Sequence, residues 1–223
     1  MVIFCPKFKL QLVISSNKLY LERTLSQILK EFFFIRLTLL MFLKLLSYMF
    51  KSEDLFLRAV ESSDATALFL WENDTNHWRI ANTEVPFSMH AIHSLIEQYA
   101  SIRNSGQLRL MICLNDSKQA IGAVDLYDVN FKHGFATVGI LIANKEHRML
   151  GYAKQALSLL IDYSENVLDL VNLQCFIHAD NDPSMNLFEG LGFEKVGVRK
   201  GWYRFKNTRI DEICYQLCLK NEI

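Results

Sequence analysis

The chain has 223 residues, with 24 Lys and Arg balanced by 24 Asp and Glu, 51% hydrophobic residues, 3 Pro and 9 Gly. That length fits one domain with an appendage. The apolar fraction excludes general disorder, and the missing basic excess excludes a nucleic-acid partner.

The neutral total hides an asymmetry. Residues 1–48 carry seven basic and two acidic side chains, leaving 17 basic and 22 acidic for the remainder. Positions 32–50 are almost continuously apolar, but Arg36 and Lys44 interrupt the run. Each charge costs roughly 2.5–3.5 kcal/mol near a bilayer centre, so a spanning helix is disfavoured and a membrane contact through residues 28–50 is the weaker reading. A cleaved signal fits no better, because the apolar run starts late and lacks a small-residue cleavage site. Residues 1–50 therefore read as an apolar, basic N-terminal extension, with Met41 and Met49 suggesting upstream sequence read in frame. Residues 51–223 read as the working domain.

In chain order, residues 55–60 predict a short strand, and Ser62-Ser63-Asp64 a cap for a helix over 65–71. Polar residues and Pro86 predict a loop over 72–88 with at most a helical turn. Ile92, Leu95, Ile96, Tyr99 and Ile102 recur at helical spacing, and Gly106 closes that helix. Strands follow at 108–114 and 121–127 across a polar turn, then at 135–142. Ala153, Ala156, Leu157, Leu160, Ile161, Val167 and Leu168 form the apolar stripe of a long helix. A strand at 173–178, a short helix at 183–189 with Pro183 in its first turn, and strands at 193–198 and 210–219 complete the chain. Trp202 to Phe205 are expected at the tip of the last hairpin, as the wall of a binding site or an aromatic cluster for a second subunit. The fold class is α+β, with a mixed central sheet flanked by helices.

Chemistry concentrates where strand 137–142 runs through Arg148-Met149-Leu150-Gly151-Tyr152-Ala153 into the long helix. The first amides of a helix have no internal partner and carry the positive end of its dipole. A glycine there lets a ligand approach the backbone, so a pyrophosphate fits. Spacing alone leaves a plain strand-to-helix turn equally open. The six histidines show no metal spacing, since His90 and His93 lack a third ligand, and no metal is expected. Five cysteines without a CxxC pair read as thiols in a reduced, cytoplasmic protein, with Cys113, Cys175, Cys214 and Cys218 in apolar runs and expected in the core.

Arg148-x-x-Gly151-x-Ala153 followed by Asn181-x-x-Ser184, Phe188 and Gly192-Phe193 resembles the GCN5-related N-acetyltransferase (GNAT) family over residues 54–219. The texture is most similar to the branch of spermidine and diamine N-acetyltransferases and ribosomal-protein N-terminal acetyltransferases, through Asp125-Leu-Tyr-Asp128 and Asn207-x-Arg209-x-Asp211-Glu212. The resemblance implies a GNAT-like, mostly antiparallel sheet and direct acetyl transfer from acetyl-CoA to a primary amine: a polyamine, a small amine or a protein amino group. It also leaves room for a homo-oligomer. Ile140, Leu141 and Ile142 would meet the pantetheine arm, with an amide near Ile140 at the developing oxyanion. Backbone amides of Arg148, Met149, Leu150, Gly151, Tyr152 and Ala153 would hold the pyrophosphate, and Asn181, Ser184 and Asn186 would flank the arm.

Two departures bear on mechanism. Phe188 stands where the family carries a proton-donating tyrosine, leaving Ser184, one turn or about 5.4 Å earlier on the same helix face, as the candidate donor. Thr137 stands where this branch often carries a glutamate, leaving Glu84, Asp128 or water to deprotonate the amine. Both departures keep a non-catalytic acyl-CoA-binding module in play as the rival function.

Overall fold

The computed structural model describes residues 50–220. The extension assigned to residues 1–50, with the membrane contact over 28–50, lies outside the described residues except for Phe50. Phe50 packs with the domain: its ring meets Tyr163 at 5.0 Å and its carbonyl accepts the Leu57 amide at 2.7 Å. Among the described residues no helix is long and apolar enough to cross a membrane.

Among the described residues seven strands form one sheet, in the order β1-β2-β3-β4-β5-β7-β6. The strands are β1 (Leu55–Ala59), β2 (Leu108–Leu114), β3 (Ala120–Asn130), β4 (Phe135–Ile142), β5 (Asn172–His178), β6 (Glu194–Phe205) and β7 (Thr208–Cys218). Every neighbouring pair is antiparallel except β4 with β5. Helices α1 (Ala65–Glu72), α2 (Thr75–Ala81), α3 (Met89–Tyr99) and α4 (Ile102–Ser105) lie between β1 and β2. Helix α5 (Tyr152–Asn166) joins β4 to β5, and α6 (Asp182–Glu189) joins β5 to β6.

Strand alternation sorts the side chains onto two faces. Leu110, Ile112, Val124, Leu126, Val138, Leu173 and Ile177 pack with Leu157 and Leu160 of α5 and Phe188 of α6 in the main core. Met111 and Cys113 point the other way, into a smaller cluster with Ala65 and Leu68 of α1 and Ile92 of α3. On β4 and β5 that second face turns polar, with Thr137 bonded to Gln174.

Three local outcomes differ from the sequence expectation. Residues 75–81 are helical, because the Asp74 carboxylate accepts the Asn76 amide at 3.0 Å and the Trp78 indole donates to the Glu72 carbonyl at 2.8 Å. Trp202 to Phe205 lie within β6 rather than at the tip, since the register with β7 shifts between Arg199 and Tyr203 and pairing then resumes. Cys218 is exposed and Cys214 half-buried, while Cys113 and Cys175 are buried.

Asp64 ties β1 to α1. Burial alone would raise its pKa, but paired hydrogen bonds from the Arg58 guanidinium at 2.7 Å and the Glu61 amide at 2.8 Å outweigh it and hold the carboxyl below its ordinary value. A folded pKa below the unfolded one gives stability that is full above the unfolded value and lost as pH falls through the folded one. Asp64→Asn is therefore expected to be less stable than the parent at neutral pH. The deficit, read from urea melts, should shrink as pH falls below the ordinary aspartate value of about 3.9.

Candidate functional site

Strands β4 and β5 pair only through Phe135–Asn172, Ala136–Leu173 and Thr137–Gln174. Beyond that point β4 stays with β3 as far as Ile142, and β5 stays with β7 as far as His178. Each strand is held by its outer neighbour, so the two part and leave a wedge in the middle of the sheet. Alternate backbone groups of a strand face each neighbour, so residues 138–142 present amides and carbonyls to the wedge with no strand to receive them. Ile140, Leu141 and Ile142 border it and are half-buried. An extended chain with its own amides can complete that edge.

The wedge leads to the turn before α5. Met149 (φ 61°) and Gly151 (φ 83°) both take the left-handed conformation. This alternation draws successive amides into a concave nest suited to an anion. The Arg148 amide already donates to the Lys145 carbonyl at 3.1 Å, and the next amide along the chain with a backbone acceptor is that of Gln155. Among the described residues the amides of Met149, Leu150, Gly151, Tyr152, Ala153 and Lys154 have no hydrogen-bond partner. A Cβ added at Gly151 would meet nothing within 4 Å among the described residues. Open space, free amides and a helix N-terminus together fit a pyrophosphate.

The Arg148 side chain builds this turn. Its guanidinium donates to the carbonyls of Ile142 and Ala143, both at 3.0 Å, and stands 2.8 Å from His77 Nε2. Arg148 thereby fixes the end of β4 against α2. Of the six residues expected to offer amides, Arg148 serves through its side chain instead, and Met149 to Ala153 supply the free N–H groups.

Across the wedge, Asn181 caps α6 through a hydrogen bond from the Ser184 amide to Oδ1 at 3.4 Å. Ser184 is half-buried, as is Met185 beside it, while Asn186 completes the first turns of the helix. Phe188 is 4% exposed and sits edge-on to Phe193 at 5.0 Å. Glu84 lies apart, exposed on the loop between α2 and α3, with no hydrogen bond or ion pair among the described residues. The structure thus brings Ile140 to Ile142, the turn and α6 around one wedge and leaves Glu84 outside these contacts.

The polar face beside the wedge holds groups whose pairing sequence spacing did not reveal. Arg109 donates to both carboxylate oxygens of Asp125, at 2.6 and 3.1 Å, and to Glu72 at 2.5 Å. Gln174 donates to the Thr137 hydroxyl at 3.0 Å. Burial pushes the Tyr127 hydroxyl up to about 12, with Asp128 adding to the effect, so it remains a protonated donor. At the far end of β5, His178 pairs in register with Glu212. Glu212 accepts from Arg199 at 2.6 Å and from the Tyr203 hydroxyl, and the Tyr203 ring lies 4.1 Å from that of His178. Burial, reinforced by the hydrogen bond to Glu212, raises the pKa of Tyr203. The period-two pattern Gln174, Phe176, His178 was the available signal, for it places a polar residue on an otherwise apolar strand's open face.

Helix α2 buries no residue and is held by polar contacts at both ends. His77 meets Arg148 at the turn. Arg79 pairs with Asp180 and lies over the Phe205 ring at 4.6 Å, while Asn82 reaches the Tyr203 hydroxyl at 3.4 Å.

With this geometry in place, comparisons with known proteins converge. The family model for the acetyltransferase (GNAT) domain matches residues 54–194. The chain is 27% identical over 176 residues to the uncharacterized N-acetyltransferase YoaA of Bacillus subtilis, covering 77% of this chain and 97% of that one. It is 28% identical over 149 residues to the spermidine N(1)-acetyltransferase of Vibrio cholerae, covering 66% and 82%. The crystal structure of spermidine N-acetyltransferase from Vibrio cholerae in complex with CoA and spermine superposes with a TM-score of 0.67 at 24% identity, covering 74% and 95%.

Proposed function

The chain belongs to the acetyltransferase (GNAT) family, and from that premise we propose that it moves the acetyl group of acetyl-CoA directly onto a primary amine, whether a polyamine, another small amine or a protein amino group. The observation that carries this reading is the continuity of the wedge with the free amides of Met149 to Ala153. One end accepts an extended amide-bearing arm, and the other accepts the pyrophosphate attached to it. Acetyl-CoA supplies the activated acetyl thioester.

The residues divide the remaining work. Backbone groups of Ile140, Leu141 and Ile142 orient the arm, and an amide in this stretch stabilises charge on the carbonyl oxygen. Asn181, Ser184 and Asn186 border the opposite side. The polar face beside Tyr127 and Thr137 receives the amine, because the other face is filled by α5 and α6. The acidic balance of the working domain favours a cationic acceptor, in keeping with the spermidine acetyltransferase among its relatives. Exposed Val196, Val198 and Trp202 along the edge strand β6 support self-association. The free thiols support a cytoplasmic setting.

A panel of spermidine, 1,4-diaminobutane, amino acids, aminoglycosides and N-terminal peptides, assayed for thiol release from acetyl-CoA, tests the reading. Amine-dependent release is expected. No release with any of them, despite coenzyme A binding, would favour the acyl-CoA-binding module.

Phe188→Tyr offers a narrower test of proton donation. The new hydroxyl enters a site that is 4% exposed, and if unpartnered it costs about 1–3 kcal/mol of stability. A thiolate leaves readily without help, so the rate is expected to rise by less than the ~10²-fold a positioned acid commonly gives. If Ser184 already donates the proton, Phe188→Tyr is expected to leave the rate unchanged and Ser184→Ala to lower it in the Phe188 parent. Turnover at saturating acetyl-CoA, with a melting curve for each variant, measures both.

A further inference from the structure

We propose that His178 accepts the proton of the incoming amine, on the sheet face that receives the acceptor. This rests on the amine-acetylation reading above. Strand alternation places His178 on the face of Gln174 and Phe176, away from the core side occupied by Leu173, Cys175 and Ile177. It ends β5, where the strand borders the wide end of the wedge.

The imidazole is 5% exposed, yet neither Nδ1 nor Nε2 has a hydrogen-bond partner among the described residues. A buried polar group left without partners in a folded protein calls for a use. An ammonium group donating into that position would satisfy one nitrogen.

The other carboxylates around this face are engaged except Asp128, which is exposed near the end of β3, and Tyr127 keeps its proton. Asp125 and Glu72 are held by Arg109. Glu212 is held by Arg199 and Tyr203, and Asp180 is paired with Arg79. Thr137 is an alcohol already bonded to Gln174. His178 remains, with a free lone pair.

Its surroundings suit a transient proton. Burial lowers its pKa and keeps the ring neutral in the resting state; Asp180 and Glu212 pull the other way, and Arg79 adds to the lowering. Arg199 stands behind, stacked over Phe176 and bonded to Glu212. A neutral ring takes the proton, and the two carboxylates then favour the imidazolium. Arg79 with Asp180 ties α2 to the end of β5, beside His178.

The step balances. One proton passes from the substrate ammonium to an imidazole nitrogen. The freed lone pair forms the C–N bond to the acetyl carbon, the C–S bond breaks, and the sulfur leaves with its electron pair as thiolate. Collapse of the adduct releases the second N–H proton to the departing thiolate or to solvent, leaving the neutral amide, and the imidazolium returns its own proton to solvent.

His178→Gln and His178→Phe in the full chain test this, with spermidine and acetyl-CoA as probes. The phenyl ring keeps the stacking on Tyr203 without a lone pair. Both variants are expected to bind coenzyme A as the parent does, to lower kcat by about 10²-fold, and to lose the acid limb of the kcat/KM profile. In the parent, the His178 imidazole signals are expected to titrate below the ordinary histidine value of about 6.5 and to shift when spermidine is added. Parental kcat and acid limb in either variant, or imidazole signals indifferent to the amine, would overturn the assignment. A parent inactive toward every amine of the panel would instead overturn the acetyltransfer reading, and this one with it.

Discussion

Gly151→Asp is expected to weaken acetyl-CoA binding by at least ~100-fold, or about 2.8 kcal/mol at 1.4 kcal/mol per tenfold. Gly151 sits at φ 83° with open space where a Cβ would go, so the site tolerates volume better than conformation or charge. A non-glycine residue forced into the left-handed region costs roughly 1–2 kcal/mol. The carboxylate adds repulsion against a pyrophosphate on the neighbouring amides, and like charges placed together cost several kcal/mol. Gly151→Asn separates the two effects, because asparagine has nearly the shape of aspartate, lacks its charge and enters the left-handed region more readily than most residues. Calorimetry with coenzyme A should show much weaker binding for the aspartate variant and a modest loss for the asparagine one. Equal affinity in all three proteins would remove the pyrophosphate from this turn.

Arg109→Ala is expected to cost about 3–5 kcal/mol of stability, the usual consequence of removing one partner from a buried ion pair. Arg109 is 17% exposed at the side chain and bonds to two carboxylates, Asp125 on β3 and Glu72 at the end of α1. Its guanidinium also lies 5.2 Å from the Tyr99 ring of α3. Burial opposes its charge, but Asp125 and Glu72 outweigh that and hold it firmly protonated. Without it, two carboxylates face each other in a partly dehydrated site. At ~2–4 °C per kcal/mol for a domain of this size, the melting temperature should fall by roughly 10 °C. Arg109→Ala/Asp125→Ala should recover part of the loss, since one orphaned charge is then gone; no recovery would show that packing of the arginine stem, not its charge, was at stake.

These two sites show what the sequence makes legible. Gly151 stood in a motif, because a pyrophosphate turn needs neighbouring residues in one order, and adjacency survives in sequence. The strand, turn and helix around it were readable from apolar periodicity, and β4 was placed at its observed limits. Arg109, Asp125 and Glu72 come from β2, β3 and α1; only the β2–β3 register and the docking of α1 bring them together. His178 was hidden for the same reason. It was one of six histidines without metal spacing, and its burial against Tyr203 depends on the shifted register of β6. That shift also moved Trp202 to Phe205 from the expected tip into the strand. The helix at 75–81 was masked by its polar composition, since its support is a cap and an indole contact rather than an apolar stripe.

The most direct measurement follows both products of one reaction. The full chain is incubated with acetyl-CoA and spermidine, and with each other amine of the panel, while free thiol is titrated and the amine is weighed by mass spectrometry. One acetyl group is expected on the amine for every thiol released, with release falling to background when the amine is left out. Coenzyme A bound tightly but no acetylated amine from any acceptor, or thiol released without a matching amide, would contradict amine acetylation.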